Sequence, residues 1–175
     1  MSSPPNRRSA LDLVAIAGLG AGAIFGIAGT MVPEAALRQV FWAIDGVGLV
    51  VATVLLAIRH LRQGADGVAA GFLVFALGET LLLAGNAGGL AASVPSFGGG
   101  VALWAAGLFL ISTPQVYPAW VRTAGIAAAA LFVVVALRIA TGEQLLPTAS
   151  PLPFFAYPVL VLTFVGWISA VVTWR

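Results

Sequence analysis

The chain has 175 residues, 61% of them hydrophobic and 8% charged, with a formal net charge of +2 and a mean hydropathy of +1.06. A soluble domain carries roughly a quarter charged side chains, so eight basic and six acidic residues cannot clothe a water-facing globule of this size. The small net charge argues against a nucleic-acid partner, and the absence of cysteine excludes disulfides, thiolate metal sites and thiol redox chemistry.

Crossing a bilayer as a helix takes roughly 20 apolar residues. Six segments meet that requirement, after an N-terminal tail over 1–10. The first is 11–32. Its start, "NRRSALDLVAIAGLGAGA", resembles a signal peptide, with a basic head, an apolar run and small residues. The apolar stretch is as long as a full span, and the five that follow alternate correctly if it stays, so it is read as a retained helix. Gly18, Gly22, Gly26 and Thr30 put a small residue on one face every four positions, the pattern of a close helix contact. The partner is either a neighbouring helix of the same subunit or a second copy of the chain.

The second span, 40–58, carries Asp45 on one side with Gly48 and Ala52, and leads into a turn holding Arg59, His60 and Arg62. His60, the only histidine, reads as a solvated surface residue there, because a metal or haem ligand needs partners that this chain lacks. The third, 67–90, has Gly71, Gly78 and Gly85 seven apart on a slowly drifting face. Glu79 interrupts it within "FALGETLLLAGN", on the face of Phe72, Phe75 and Asn86. The fourth, 98–112 or starting nearer Pro95, is preceded by "SFGGG", read as a flexible lead-in rather than a phosphate cradle. The fifth, 123–141, holds Arg138. The connection "GEQLLPTASPLP" has three prolines and is expected to be an irregular surface loop. The sixth, 154–173, contains Pro158, which predicts a kink.

Short turns make neighbouring spans antiparallel. With a cytoplasmic N-terminus, Arg7, Arg8, Arg59, Arg62, Arg122 and Arg175 fall inside and Arg38 and Arg138 outside, a positive-inside pattern. Tyr117, Trp120 and Trp174 then sit at cytoplasmic boundaries. The expected fold is an all-α, polytopic bundle of six transmembrane helices forming one domain over 11–175, with both termini cytoplasmic, in the cell (inner) membrane. Spans one to three share no pattern with spans four to six, so no inverted duplication is expected.

A charge at mid-membrane costs roughly 2.5–3.5 kcal/mol on insertion scales and usually faces the bundle interior or a wet cavity. At a rise of about 1.5 Å per residue, Asp45, Glu79 and Arg138 lie about 20, 18 and 22 Å from the cytoplasmic ends of their spans. One level and three compatible faces predict an Asp45–Glu79–Arg138 cluster. A structural reading has Arg138 neutralise one carboxylate while the other is protonated and hydrogen-bonded. A functional reading makes the group a proton or ion site, or the counter-charge of a transported molecule. In a third, Arg138 snorkels to the outer interface.

Other chemistry is poorly served. Without lysine there is neither a retinal Schiff base nor a P-loop, no GxSxG elbow occurs, and no span carries a voltage sensor's row of arginines. No catalytic, cofactor-binding or metal-binding residues are expected. The sequence reads as a non-catalytic multi-pass membrane protein, such as an accessory or assembly subunit. The alternative is a small oligomeric secondary carrier or an ion- or proton-conducting protein using Asp45 and Glu79. Its partners are the lipid bilayer and either further copies of itself or another membrane protein.

Overall fold

The structure is a computed structural model and describes residues 9–173. Arg7, Arg8, Trp174 and Arg175 lie outside the described residues. The elements are α1 (Ala10–Met31), α2 (Ala35–Arg62), α3 (Asp66–Asn86), α4 (Val94–Ser112), α5 (Ala119–Ala140) and α6 (Ala156–Thr173), with no strand among the described residues. All six are long and apolar enough to cross a membrane.

Local chemistry sets the ends. Ser9 caps α1: its hydroxyl accepts from the Asp12 amide at 3.1 Å, and the Asp12 carboxylate accepts from the Ser9 amide at 3.3 Å, a reciprocal capping box. Pro33 bars continuation of α1, because the residue before a proline is driven out of the helical region. Past the end of α2, Gly64 takes a φ of +73°, a backbone turn that a side chain would strain.

Two expectations about helix starts are corrected. α4 begins at Val94 with Pro95 in its first turn, so the "SFGGG" residues are helical and no flexible lead-in exists. Their glycines serve close packing: a Cβ at Gly100 would stand 2.6 Å from Leu82 Cγ and 3.0 Å from the Gly78 carbonyl oxygen. α6 begins at Ala156, which places Pro158 in the first turn. There its missing N–H breaks no helical bond, so the proline imposes no kink.

The helices form a closed ring in chain order. Each packs on the next, and α6 returns to α1. Glycines set the tightest contacts. Gly18 faces Gly48 and Ala52 on α2, Gly22 faces Leu49, and Gly26 faces the Asp45 carboxylate, so the α1 stripe packs within one subunit. On α3, a Cβ at Gly71 would lie 2.9 Å from the Gly107 carbonyl oxygen, one at Gly78 2.7 Å from that of Gly100, and Gly85 meets Ser96. These three form the seam with α4.

The middle of the ring is filled by aromatic side chains. Phe75 stacks on Trp104 with ring centroids 5.3 Å apart, and meets Trp167 edge-on at 5.9 Å. Trp167 in turn packs edge-on against Phe72 at 4.8 Å, and Trp104 against Phe132 at 5.2 Å. Outside, every helix exposes large apolar residues, such as Ile24, Val47, Leu77, Phe109, Leu137 and Leu162. An aromatic interior under an apolar outer surface is compatible with a multi-pass membrane protein.

Candidate functional site

Asp45 lies ten residues into α2, about 15 Å from its start at a rise of 1.5 Å per residue, and Glu79 lies about 10 Å from the end of α3. Those two helix ends belong to the same rim of the ring, which also carries the end of α1 and the loop before α6. The ring turns both carboxyl groups inward. Asp45 is 8% exposed and Glu79 3%, and both line one cavity of about 60 Å³ on the bundle axis.

That cavity sits between the rim and the aromatic plug. Trp104 floors it, Leu82 lines it one turn above Glu79, Tyr157 and Leu160 wall it on the α6 side, and Thr30, Asn86 and Pro147 line it towards the rim. Gly22 and Gly26 open it on the α1 side; a Cβ at Gly26 would come within 3.1 Å of Asp45 Oδ2. A smaller pocket of about 40 Å³, lined by Arg38, Gln39 and Gly89, adjoins it on the rim side, with Trp42 and Asn86 lining both.

The polar atoms facing this space are incompletely satisfied. Asp45 Oδ1, Glu79 Oε2 and Trp104 Nε1 are all buried without a hydrogen-bond partner. The neighbouring hydroxyls are committed elsewhere: Tyr157 Oη donates to the Pro147 carbonyl at 2.8 Å, and Thr30 Oγ1 to that of Ile27 at 2.7 Å. Buried polar groups in folded proteins are almost always hydrogen-bonded. Trp104 is the indole nearest the Glu79 carboxyl, and the two carboxyl oxygens left open face one cavity with room for a further donor.

In this ring, no family model, no curated protein and no solved structure matches the chain. Nothing comparable therefore assigns the site a role.

Of the three residues expected to cluster, the structure brings together Asp45 and Glu79 only. Arg138 forms a two-pronged ion pair with Glu143, Nε to Oε2 at 2.7 Å and Nη2 to Oε1 at 2.5 Å, with both side chains about 40% exposed. α5 starts at Ala119 rather than 123, which carries Arg138 about 28 Å from the cytoplasmic end of its helix instead of about 22 Å; it lies in the last turn, close to Gly142 at φ +97°. A guanidinium there complements the helix C-terminus and reaches a carboxylate just beyond it.

His60 also departs from expectation. α2 continues to Arg62, which keeps His60 helical and turns it into the ring, where it is 0% exposed. Its Nε2 and Tyr117 Oη share a hydrogen bond of 2.8 Å, and its ring stacks on Phe72 at 5.5 Å. Burial pushes the Tyr117 phenol well above its usual range, so it stays protonated in that bond. The pair lies on the far side of the aromatic plug from Asp45 and Glu79. Among the described residues, no group of three or more His, Cys, Asp and Glu could hold a metal ion.

Proposed function

We propose that this chain is a non-catalytic integral protein of the cell membrane, with cytoplasmic termini, that takes up a proton or small cation at Asp45 and Glu79. One observation carries the reading: two buried carboxyl groups face the same cavity with open acceptor atoms, and the nearest expected counter-charge, Arg138, is engaged at the surface. A purely structural pair would close on itself or on an arginine, since an uncompensated buried charge destabilises a fold strongly. The adjoining rim pocket supplies a route for exchange, and the plug closes the opposite side. Orientation follows the arginines: Arg59, Arg62 and Arg122 lie at one end and Arg38 and Arg138 at the other, so the cavity faces away from the cytoplasm.

The test is infrared difference spectroscopy of the purified protein in lipid across a pH titration. Two carboxyl bands are expected, one lost in Asp45→Asn and the other in Glu79→Gln. If neither substitution removes a titrating band, the pair takes up no proton and the reading fails.

A second reading, as an accessory subunit, is favoured by a separate feature. The outer face between α1 and α2 is a groove floored by small residues, Ala17, Gly18, Ala21, Ala43 and Gly48, with valines at its edges. Such a surface admits a partner helix closely within a bilayer. Native mass spectrometry after gentle purification from the original membrane decides it: a stoichiometric partner protein supports this reading, and the bare chain or its homo-oligomer removes it.

A further inference from the structure

The Asp45–Glu79 cavity is too apolar for a hydrated metal ion and larger than a proton requires. We propose that its ligand is a small protonated amine of about two non-hydrogen atoms, with methylammonium as the representative probe. The inference rests on the reading of this cavity as a proton or cation site, and narrows the ligand to one chemical class.

Volume sets the size. An apolar cavity of about 150 Å³ holds benzene, a ligand of six non-hydrogen atoms, so a cavity of about 60 Å³ suits two or three: one nitrogen and one or two carbons. Acceptors set the charged end. Asp45 Oδ1 and Glu79 Oε2 are the open oxygens, and both can accept from the N–H groups of a single ammonium. Hard divalent cations call for six or more oxygens. Apart from the carboxyl groups, the lining is mostly aromatic and aliphatic and does not supply such a shell.

The remaining wall sets the other end. Trp42, Phe97, Trp104 and Tyr157 surround the carboxyl pair, with Leu49 and Leu160 between them. Aromatic rings around a cation add an attraction that bare water does not supply, and they favour an ion carrying an apolar group over a strongly hydrated one. An ammonium in this place also answers the question the fold itself raises, because it balances one carboxylate of a pair that no arginine reaches, while the other keeps its proton. Gly26 fits the same account: its missing Cβ leaves the space beside the Asp45 carboxylate that the ion occupies.

Isothermal titration of the intact protein in lipid nanodiscs tests this, with methylammonium, tetramethylammonium, sodium and potassium chlorides compared at constant ionic strength. Saturable methylammonium binding is expected, at least tenfold tighter than sodium or potassium, with tetramethylammonium excluded by size. Glu79→Gln and Asp45→Asn should each weaken it at least tenfold, and Glu143→Gln should leave it unchanged. Absence of saturable binding, or equal affinity for sodium, overturns the proposal, and the wild-type ion series decides the matter even if a variant fails to fold. Should the infrared carboxyl bands titrate as expected while methylammonium does not bind, the proton reading stands and the amine falls. Should both measurements be silent, both fall.

Discussion

At the scale of single residues, the two polar centres of this ring differ in what they face. His60 and Tyr117 are joined by a hydrogen bond under a stacked Phe72, whereas Asp45 and Glu79 turn open acceptors to a cavity. The first should behave as a fastener. Tyr117→Phe removes the hydroxyl but keeps the ring, and should destabilise the protein by about 1–3 kcal/mol, the usual cost of depriving a buried polar group of its partner. Thermal unfolding in detergent reads it, and an unchanged midpoint would show that the bond carries no stability. The carboxyls should behave in the opposite sense: Glu79→Gln removes a charge that the fold must otherwise suppress, and should leave the unfolding midpoint equal or higher. A clear drop would mean that Glu79 holds the bundle together. Asp45 and Glu79 were legible in the sequence because a carboxylate within an apolar run must find shelter inside the bundle. His60 was not, because its position next to two arginines mimics a solvated turn. Only the extra turn of α2 carries it inward. Arg138 misled in the converse way, since its partner Glu143 lies in the loop and no helical periodicity connects the two.

At the scale of elements, the six spans were legible because hydropathy reports helix interiors directly, while their ends depend on prolines and glycines whose effect is local. Pro95 and Pro158 illustrate the difference: Pro95 marks the start of α4, as one of the two sequence readings had it, whereas Pro158 reads as a kink inside an apolar run and in fact sits in a first turn where it costs nothing. Glycine spacing predicted faces but not their partners; the ring supplied α2 for one stripe and α4 for the other. These contacts should be unequal to glycines that face outward. Gly78→Ala places a methyl 2.7 Å from the Gly100 carbonyl oxygen and 2.9 Å from Trp104 Cδ1, both held by the helix seam. Separating α3 from α4 to relieve it should cost about 1–3 kcal/mol, the range for overpacking a tight core. Gly20→Ala meets nothing within 4 Å on the same ring's outer face. There the helix propensity of alanine should stabilise by up to about 1 kcal/mol. Unfolding midpoints of the two variants, compared side by side, should therefore move in opposite directions. Equal losses would show that glycine matters along these helices for flexibility and not for close approach.

At the scale of the whole molecule, closure of six antiparallel helices into one ring divides the axis into two compartments. Above, towards the rim that holds Arg38, lies the carboxyl cavity; below lies the His60–Tyr117 pair; the stacked aromatics from Phe72 to Trp104 separate them. No pattern in the sequence announces this partition, because the plug is assembled from α3, α4 and α6, three separate stretches that meet only when α6 returns to α1. Its consequence is directional access. The chain lacks cysteine, so single cysteines can be read against a blank background. Asn86→Cys, half-buried at the rim and lining the cavity, should react in intact cells with a membrane-impermeant thiol reagent added outside, if the arginines orient the protein as the positive-inside rule requires. Thr53→Cys, in the α2 half below the plug and 0% exposed, should stay unreacted from either side in the same cells. Reaction of Asn86→Cys only in inverted vesicles would reverse the orientation and put the cavity on the cytoplasmic side. Reaction of Thr53→Cys from outside would show water passing the aromatic plug, and the protein would then be an open path and not a one-sided site. Protection of Asn86→Cys by methylammonium, with none by sodium, would tie that access directly to the occupied carboxyl pair.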